Sequence, residues 1–200
     1  MTKNNVGPIA EFGATVSHFA GEQASRTVMT GSDQIAGASS KEVAKWLKAA
    51  VERLDATVDE GARAQIMEQM GLNCAEMNKS HVERALARRN RFNTLAEFLD
   101  AEEKAPSRGT RLVREGDLVY QYYKPLSAFG RRCFCSLWHG LPEGENVSPT
   151  WCQCSRAFVS EVWKAYAGRS VQVELAESCI SGASECKFVV HLDTVPKCKS

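Results

Sequence analysis

Apolar residues recur at helical spacing through the first half of the chain and alternate with polar ones through much of the second. Val43, Trp46, Leu47, Ala50, Val51 and Leu54 fall at i, i+3, i+4, i+7, i+8 and i+11, one stripe of an amphipathic helix beginning at Ser39-Ser40. Thr57-Val58-Asp59-Glu60 has the form of a capping box and predicts a second helix ending at Met70, with Gly71 in a left-handed C′ position. A third helix is predicted from about Asn73 to Arg89, and a fourth after the box Thr94-Leu95-Ala96-Glu97, fading by Lys104. Residues 1–38 hold five of the fourteen glycines with many Ser, Thr and Ala. They show no sustained period and read as a flexible N-terminal arm with one short helix around Phe12–Phe19.

Lys104-Ala105-Pro106-Ser107-Arg108-Gly109 breaks the helical pattern, and the period becomes two. Thr110–Glu115 and Leu118–Lys124 flank Gly116-Asp117, a two-residue loop of the type II′ hairpin kind. Residues 131–154 form a cysteine-rich irregular stretch. Ser155 then caps a helix with Phe158, Val159, Val162, Trp163 and Tyr166 on its buried face and Gly168 at its end. Val171, Val173 and Leu175 alternate in one strand; Cys186, Phe188, Val190 and Leu192 alternate in the next. The pattern predicts an α+β fold: N-terminal helices followed by a β-β-α-β-β layer with a cysteine-rich metal-binding loop. In domain terms it gives an arm at 1–38, a helical region at 39–104 and an α+β cysteine-rich region at 110–195, with 39–195 forming one compact domain.

Charge narrows the partners. The 200 residues carry 25 Lys+Arg against 24 Asp+Glu, a formal net charge of +1. That balance gives no reason to expect a nucleic acid or other polyanion. Arg84, Arg88 and Arg91 share a helical face beside Arg89, but without interleaved aromatics the row reads as a solvated surface. Hydrophobic residues at 44% and charged residues at 24% are ordinary for a globular chain. No apolar run reaches the roughly 18 residues that a transmembrane helix needs, so no membrane partner is expected. Pro8 and Glu11 interrupt the start of the chain where a secretory signal would be apolar, which predicts a cytoplasmic protein with reduced thiols. No glycine-rich phosphate loop, G-x-S-x-G elbow or H-E-x-x-H occurs.

Eight cysteines are the unusual quantity: Cys74, Cys133, Cys135, Cys152, Cys154, Cys179, Cys186 and Cys198. Cys133-Phe134-Cys135 and Cys152-Gln153-Cys154 are two C-x-C pairs separated by sixteen residues. On strands each pair aims two thiols to one side. Tetrahedral zinc asks for sulfurs roughly 3.8 Å apart, so the side chains must tilt together. Cys152 and Cys154 precede the predicted cap Ser155, at the positive end of a helix, where thiolates are favoured. The candidate site is therefore Zn²⁺ on Cys133, Cys135, Cys152 and Cys154, with His139, Cys179 and Cys186 as alternate ligands. An iron–sulfur cluster or a redox dithiol are the competing uses. The metal reading requires at least three of these sulfurs to approach one point.

Cys179 and Cys186 bracket a Gly182-bearing connection, and opposed across a hairpin they would be near enough to share a metal; as bland alternatives they are small core residues. Cys198 follows Pro196 in the tail and reads as exposed and incidental. Gly71-Leu72-Asn73-Cys74-Ala75 puts Cys74 in the first turn of the predicted third helix, a place for a catalytic nucleophile. His81 lies seven residues on, about 10.5 Å along the axis, too far to be its base within the helix. Tyr120, Tyr122 and Tyr123 are candidates to line an aromatic ligand pocket or are ordinary strand residues.

The segment from Val173 to Phe188, with Glu177-Ser178-Cys179, Gly182 and Cys186-Lys187-Phe188, resembles the C-terminal signature of 4-vinyl reductase domains. These are small-molecule-binding α+β domains of bacterial and archaeal sensors and of bacteriochlorophyll biosynthesis. In some aromatic-sensing members the two hairpin cysteines and one upstream cysteine hold zinc. That resemblance implies Cys179, Cys186 and one of Cys152 or Cys154 as ligands; the Cys133/Cys135 pair departs from the pattern. The combination of Cys-x-Cys before the helix with Glu-Ser and Cys-x-Phe after it also resembles uncharacterised cysteine-rich proteins of anaerobic bacteria. Both resemblances cover about residues 130–192.

These readings predict first a cytoplasmic, zinc-clamped, sensor-like domain that binds a small, partly aromatic molecule. The alternative is a cysteine-dependent hydrolase, lyase or thiol-redox enzyme built on Cys74 and the cluster. A third use is an assembly module exposing Trp138 and Trp151 to a partner, a homodimer included.

Overall fold

A computed structural model describes residues 6–106, 109–124 and 133–193. The expectations for residues 1–5, for Arg131 and Arg132 and for Cys198 lie outside the described residues. Among these residues six helices, α1 Val6–Val28, α2 Ser40–Thr57, α3 Glu60–Met77, α4 Lys79–Arg89, α5 Leu95–Lys104 and α6 Pro149–Ala167, accompany four strands. The strands β1 Thr110–Glu115, β2 Leu118–Tyr123, β3 Gln172–Glu177 and β4 Cys186–His191 form one antiparallel sheet in the order β1-β2-β4-β3. The fold is α+β, as the change of period predicts.

The stretch expected as a loosely ordered arm is instead α1 and a 3₁₀ turn at Ser32–Ile35. Ile9, Phe12 and Val16 share a face and are buried, and the helix packs on α2 and α3. Gly21, at φ 86°, kinks it. The indole of Trp46 and the guanidinium of Arg53 donate to the carbonyls of Thr30 and Val28, at 2.9 Å and 2.8–3.0 Å, and tie its end to α2.

Two helix boundaries differ from the sequence reading. Thr57 ends α2 and does not cap α3; Asp59 is the cap, its carboxylate accepting the Ala62 N–H at 3.0 Å. The helix then runs straight through Gly71 and breaks at Asn78. Gly71 is there for close approach: a Cβ at this position would sit 2.3 Å from the Cys154 carbonyl oxygen and 2.5 Å from the Ala157 Cβ. The absent side chain lets α3 and α6 touch backbone to side chain, and α6 is the strut against which α3, α4 and β3 pack.

That strut separates two apolar clusters. On one side lie Phe12, Val16, Leu47, Leu54, Ile66 and Met67 with Trp138 and Trp151. On the other, the inner sheet face of Val119, Val173, Phe188 and Val190 packs against Phe98 of α5 and Trp163 of α6. The outer sheet face is polar: the Arg111 guanidinium lies 3.7 Å from the Tyr122 ring centre and the Lys187 ammonium 4.9 Å from that of Tyr120. The loop that carries Cys133 and Cys135 folds onto α2. Gly140 packs there so closely that a Cβ would meet the Ser40 carbonyl at 2.1 Å.

Candidate functional site: a cysteine-lined cavity at the seam

Helix α6 starts six residues before its expected cap. Ser148 is the N-cap, its hydroxyl accepting the Thr150 N–H at 3.3 Å, and Pro149 opens the first turn. Cys152 and Cys154 are therefore inside the helix. Residues two apart on a helix point about 200° apart, whereas on a strand they share a face. Cys152 turns toward the sheet, where its sulfur lies 2.8 Å from the Ser178 hydroxyl. Cys133 and Cys135 flank the entry to a 3₁₀ turn at Ser136–Trp138, and the Cys133 sulfur accepts the Cys135 N–H at 3.4 Å. The strand geometry expected for both C-x-C pairs is absent.

Cys133, Cys152 and Cys186, from a loop, a helix and a strand, line one small cavity of about 10 Å³ at the seam between the two clusters. Tyr123, Leu175, Ile180 and Phe188 supply its apolar walls, and Ser155 and Ser178 its hydroxyls. Backbone pairing sets Tyr123 opposite Cys186, and the Tyr123 ring stacks on Phe188 at 5.6 Å between centres. Of the three tyrosines considered in the sequence, Tyr123 faces the cavity while Tyr120 and Tyr122 belong to the outer face.

Cys179 and Cys186 do oppose each other. The Cys179 N–H donates to the Cys186 sulfur at 3.4 Å, across the 3₁₀ turn Cys179–Ser181. A bulge between Leu175 and Glu177 breaks the simple alternation of β3 before Cys179 is reached. Ser178 sits beside Cys152; its signal in the sequence is the Glu-Ser-Cys run itself.

Burial dominates the thiol electrostatics. It pushes Cys152 and Cys135 up to about 11 and Cys133 and Cys154 well above the ordinary thiol range, and neighbouring cysteines add to the rise. The helix-terminus effect expected to favour thiolates at Cys152 and Cys154 is outweighed. Cys186 goes the other way, to about 7, because the Cys179 thiol, the Cys179 N–H and the Tyr123 hydroxyl all donate to its sulfur. The S–H bond to Cys186, together with burial, raises the Cys179 thiol in turn.

Among the described residues, no three His, Cys, Asp or Glu side chains stand close enough to hold one ion. The two C-x-C pairs neighbour each other without presenting a tetrahedral set. His139 closes the 3₁₀ turn through its backbone and is not among the cavity's walls.

Cys74 is in the last turn of α3, not the first of a helix, so no N-terminal field acts on it. Burial raises its thiol, with the Asn78 amide donating to the sulfur at 3.6 Å. His81 packs on the Phe158 ring, 5.7 Å between centres. Trp138 and Trp151 are 1% and 3% exposed, which removes the expected partner-binding surface. In the arginine row Arg88 pairs with Glu102 and the adjacent Arg89 donates to the carbonyls of Tyr166 and Phe92, while Arg84 and Arg91 are exposed. A second, open groove between α1 and α3 is lined by Glu11, Thr15, His18, Phe19, Gln69 and Asn73. No described helix is long and apolar enough to cross a membrane.

The fold is similar to that in the crystal structure of the Fe(II) unliganded H-NOX protein from K. algicida, at a TM-score of 0.51 and 12% sequence identity, over 96% of this chain and 97% of that one. At that identity the likeness is one of fold. No curated protein matches the chain. A family model described as "Family of unknown function (DUF6144)" matches residues 10–195, and the chain belongs to that family.

Proposed function

We propose that the chain is a small-molecule-responsive domain whose ligand enters the cavity between α6 and the sheet. The observation that carries this is the meeting of two cores at one small space walled by Tyr123, Phe188 and Leu175 and edged by thiols and hydroxyls. Ligand sites are apolar concavities with a few placed polar groups. At about 10 Å³ the cavity has room for no more than one water as it stands, so a single-ring aromatic would enter by displacing the Tyr123 and Leu175 side chains outward. Ser178 and Ser155 would orient one polar substituent. The fold likeness to an H-NOX protein and the resemblance of residues 173–188 to 4-vinyl reductase domains both support a sensor-like role.

Zinc on Cys133, Cys135, Cys152 and Cys154 remains part of the proposal as a separate element. The donor atoms suit zinc, but as placed they do not make a site, and binding would require side chains to rotate together and release their protons. The same holds for an iron–sulfur cluster, and for the iron named in the H-NOX structure. Ligand binding at the cavity is routed through none of them.

The test is a thermal-shift titration of the full chain with phenol, toluene and indole. A saturable rise in Tm that Leu175→Trp abolishes, by taking the space a ligand ring would open, is expected. No rise with any of them, or a rise unchanged in Leu175→Trp, would overturn the reading. Elemental analysis of protein purified without chelator tests the zinc: one equivalent supports it, and none refutes it.

A further inference from the structure

We propose that the groove between α1 and α3 is a second binding site, for an arylalkylammonium: a primary ammonium joined by a short carbon tether to an aromatic ring. The groove offers about 330 Å³ of open space, within the range of small-molecule sites and far more than the seam cavity. Glu11, Thr15 and His18 fall at i, i+4 and i+7 on α1 and form one wall, with Phe19 beside them. Gln69 and Asn73, at i and i+4 on α3, form the other.

The two ends of the groove differ in chemistry. At one end the half-buried Glu11 supplies the only carboxylate of the lining, and no lysine or arginine lines the groove. None of the ion pairs among the described residues engages Glu11. The Thr15 hydroxyl does not serve the carboxylate either, because it donates to the Glu11 backbone carbonyl at 2.8 Å. Across the groove the Gln69 amide donates to the Asn73 side-chain oxygen at 2.7 Å, which leaves the Gln69 carbonyl oxygen as an acceptor. An ammonium, all donor and positively charged, answers such a set. At the other end the His18 and Phe19 rings meet edge to face, 4.6 Å between centres and 85° apart. That corner presents π faces at right angles and suits a third ring. Eight residues separate Glu11 from Phe19, a rise of about 12 Å along the helix. A carboxylate–ammonium hydrogen bond, a short tether and a ring-on-ring contact in series fill that span. An anion would be repelled by Glu11, and an uncharged ring such as phenol leaves the carboxylate unanswered, so the groove and the seam select different ligands.

The experiment is amide chemical-shift mapping of the labelled full chain at neutral pH with phenethylamine, beside phenylethanol, which keeps the ring without the charge, and ethylamine, which keeps the charge without the ring. The expected result is saturable phenethylamine shifts centred on Glu11, His18, Gln69 and Asn73, with either half-ligand binding roughly tenfold more weakly. Glu11→Gln should weaken phenethylamine by a similar factor, and Leu175→Trp should leave it unchanged. No saturable shifts, shifts centred on Tyr123 and Ser178, or equal binding of phenethylamine and phenylethanol by the unaltered chain would overturn the proposal. The last comparison needs no variant, so it stands even if a substitution disturbs α1. Phenol at the seam and phenethylamine in the groove are read at different amides, so this inference and the proposed ligand site fail independently.

Discussion

Gly71→Ala is the most economical perturbation of the strut that positions Cys152. The new Cβ would lie 2.3 Å from the Cys154 carbonyl oxygen, 3.1 Å from its carbon and 2.5 Å from the Ala157 Cβ. Ordinary contact lies at 3.4–4 Å, so the helices must part by about 1 Å, and two of the three obstacles are backbone atoms that have no rotamer to escape into. Overpacking of this kind costs about 1–3 kcal/mol, with the upper end appropriate for a rigid obstacle. Alanine recovers about 1 kcal/mol through helix propensity, because Gly71 lies inside α3. The net expectation is destabilisation by about 2 kcal/mol, equivalent to a Tm lower by about 4–8 °C for a chain of this size. Chemical denaturation read by circular dichroism measures it, with Gly7→Ala, which meets nothing within 4 Å, as the control. A variant as stable as the original, or more stable, would refute the close approach of α3 and α6.

Other consequences follow from the same geometry. Cys135 and Cys152 titrate near 11 in the folded chain, above an unfolded thiol at about 8.5, so their contribution is intact below the unfolded value and is lost as pH rises toward 11. The Tm should therefore fall across that window; a flat or rising profile would contradict the burial. Arg88→Met leaves the buried Glu102 carboxylate without its partner and should cost about 1–3 kcal/mol in a denaturant titration. Thr94→Ala removes the hydroxyl that accepts the Glu97 N–H at 3.1 Å and should cost about 1 kcal/mol, with an unchanged midpoint refuting the cap.

Strands were more legible in the sequence than helix ends. The run Thr110–Glu115 and the glycine-led turn at Gly116 appear where alternation puts them, because period two and turn chemistry are local properties. Gly71 misled because its role is tertiary. A glycine near the end of an apolar stripe looks like a cap, and only the presence of α6 reveals a contact. Likewise Ile9, Phe12 and Val16 hold α1 to the core, but the surrounding glycines and hydroxyl residues obscured the stripe.

The cysteines show the same division. Their number and clustering pointed to a shared neighbourhood, and Cys133, Cys152 and Cys186 do meet at one cavity. Which way each thiol faces depended on whether Cys152 and Cys154 lay on a helix or a strand, and that turned on a cap placed at Ser155 instead of Ser148. Tyr123 is among the tyrosines the sequence offers as pocket-lining, whereas Ser155 reads there as a helix cap and takes its place in the wall through packing.

The central claim is that the seam cavity, and not the groove between α1 and α3, is the ligand site. Amide chemical-shift mapping of the labelled full chain during a phenol titration tests it directly. The account predicts saturable shifts centred on Tyr123, Cys152, Ser178 and Cys186. Shifts centred on Glu11, His18, Gln69 and Asn73, or none at saturating phenol, would contradict it.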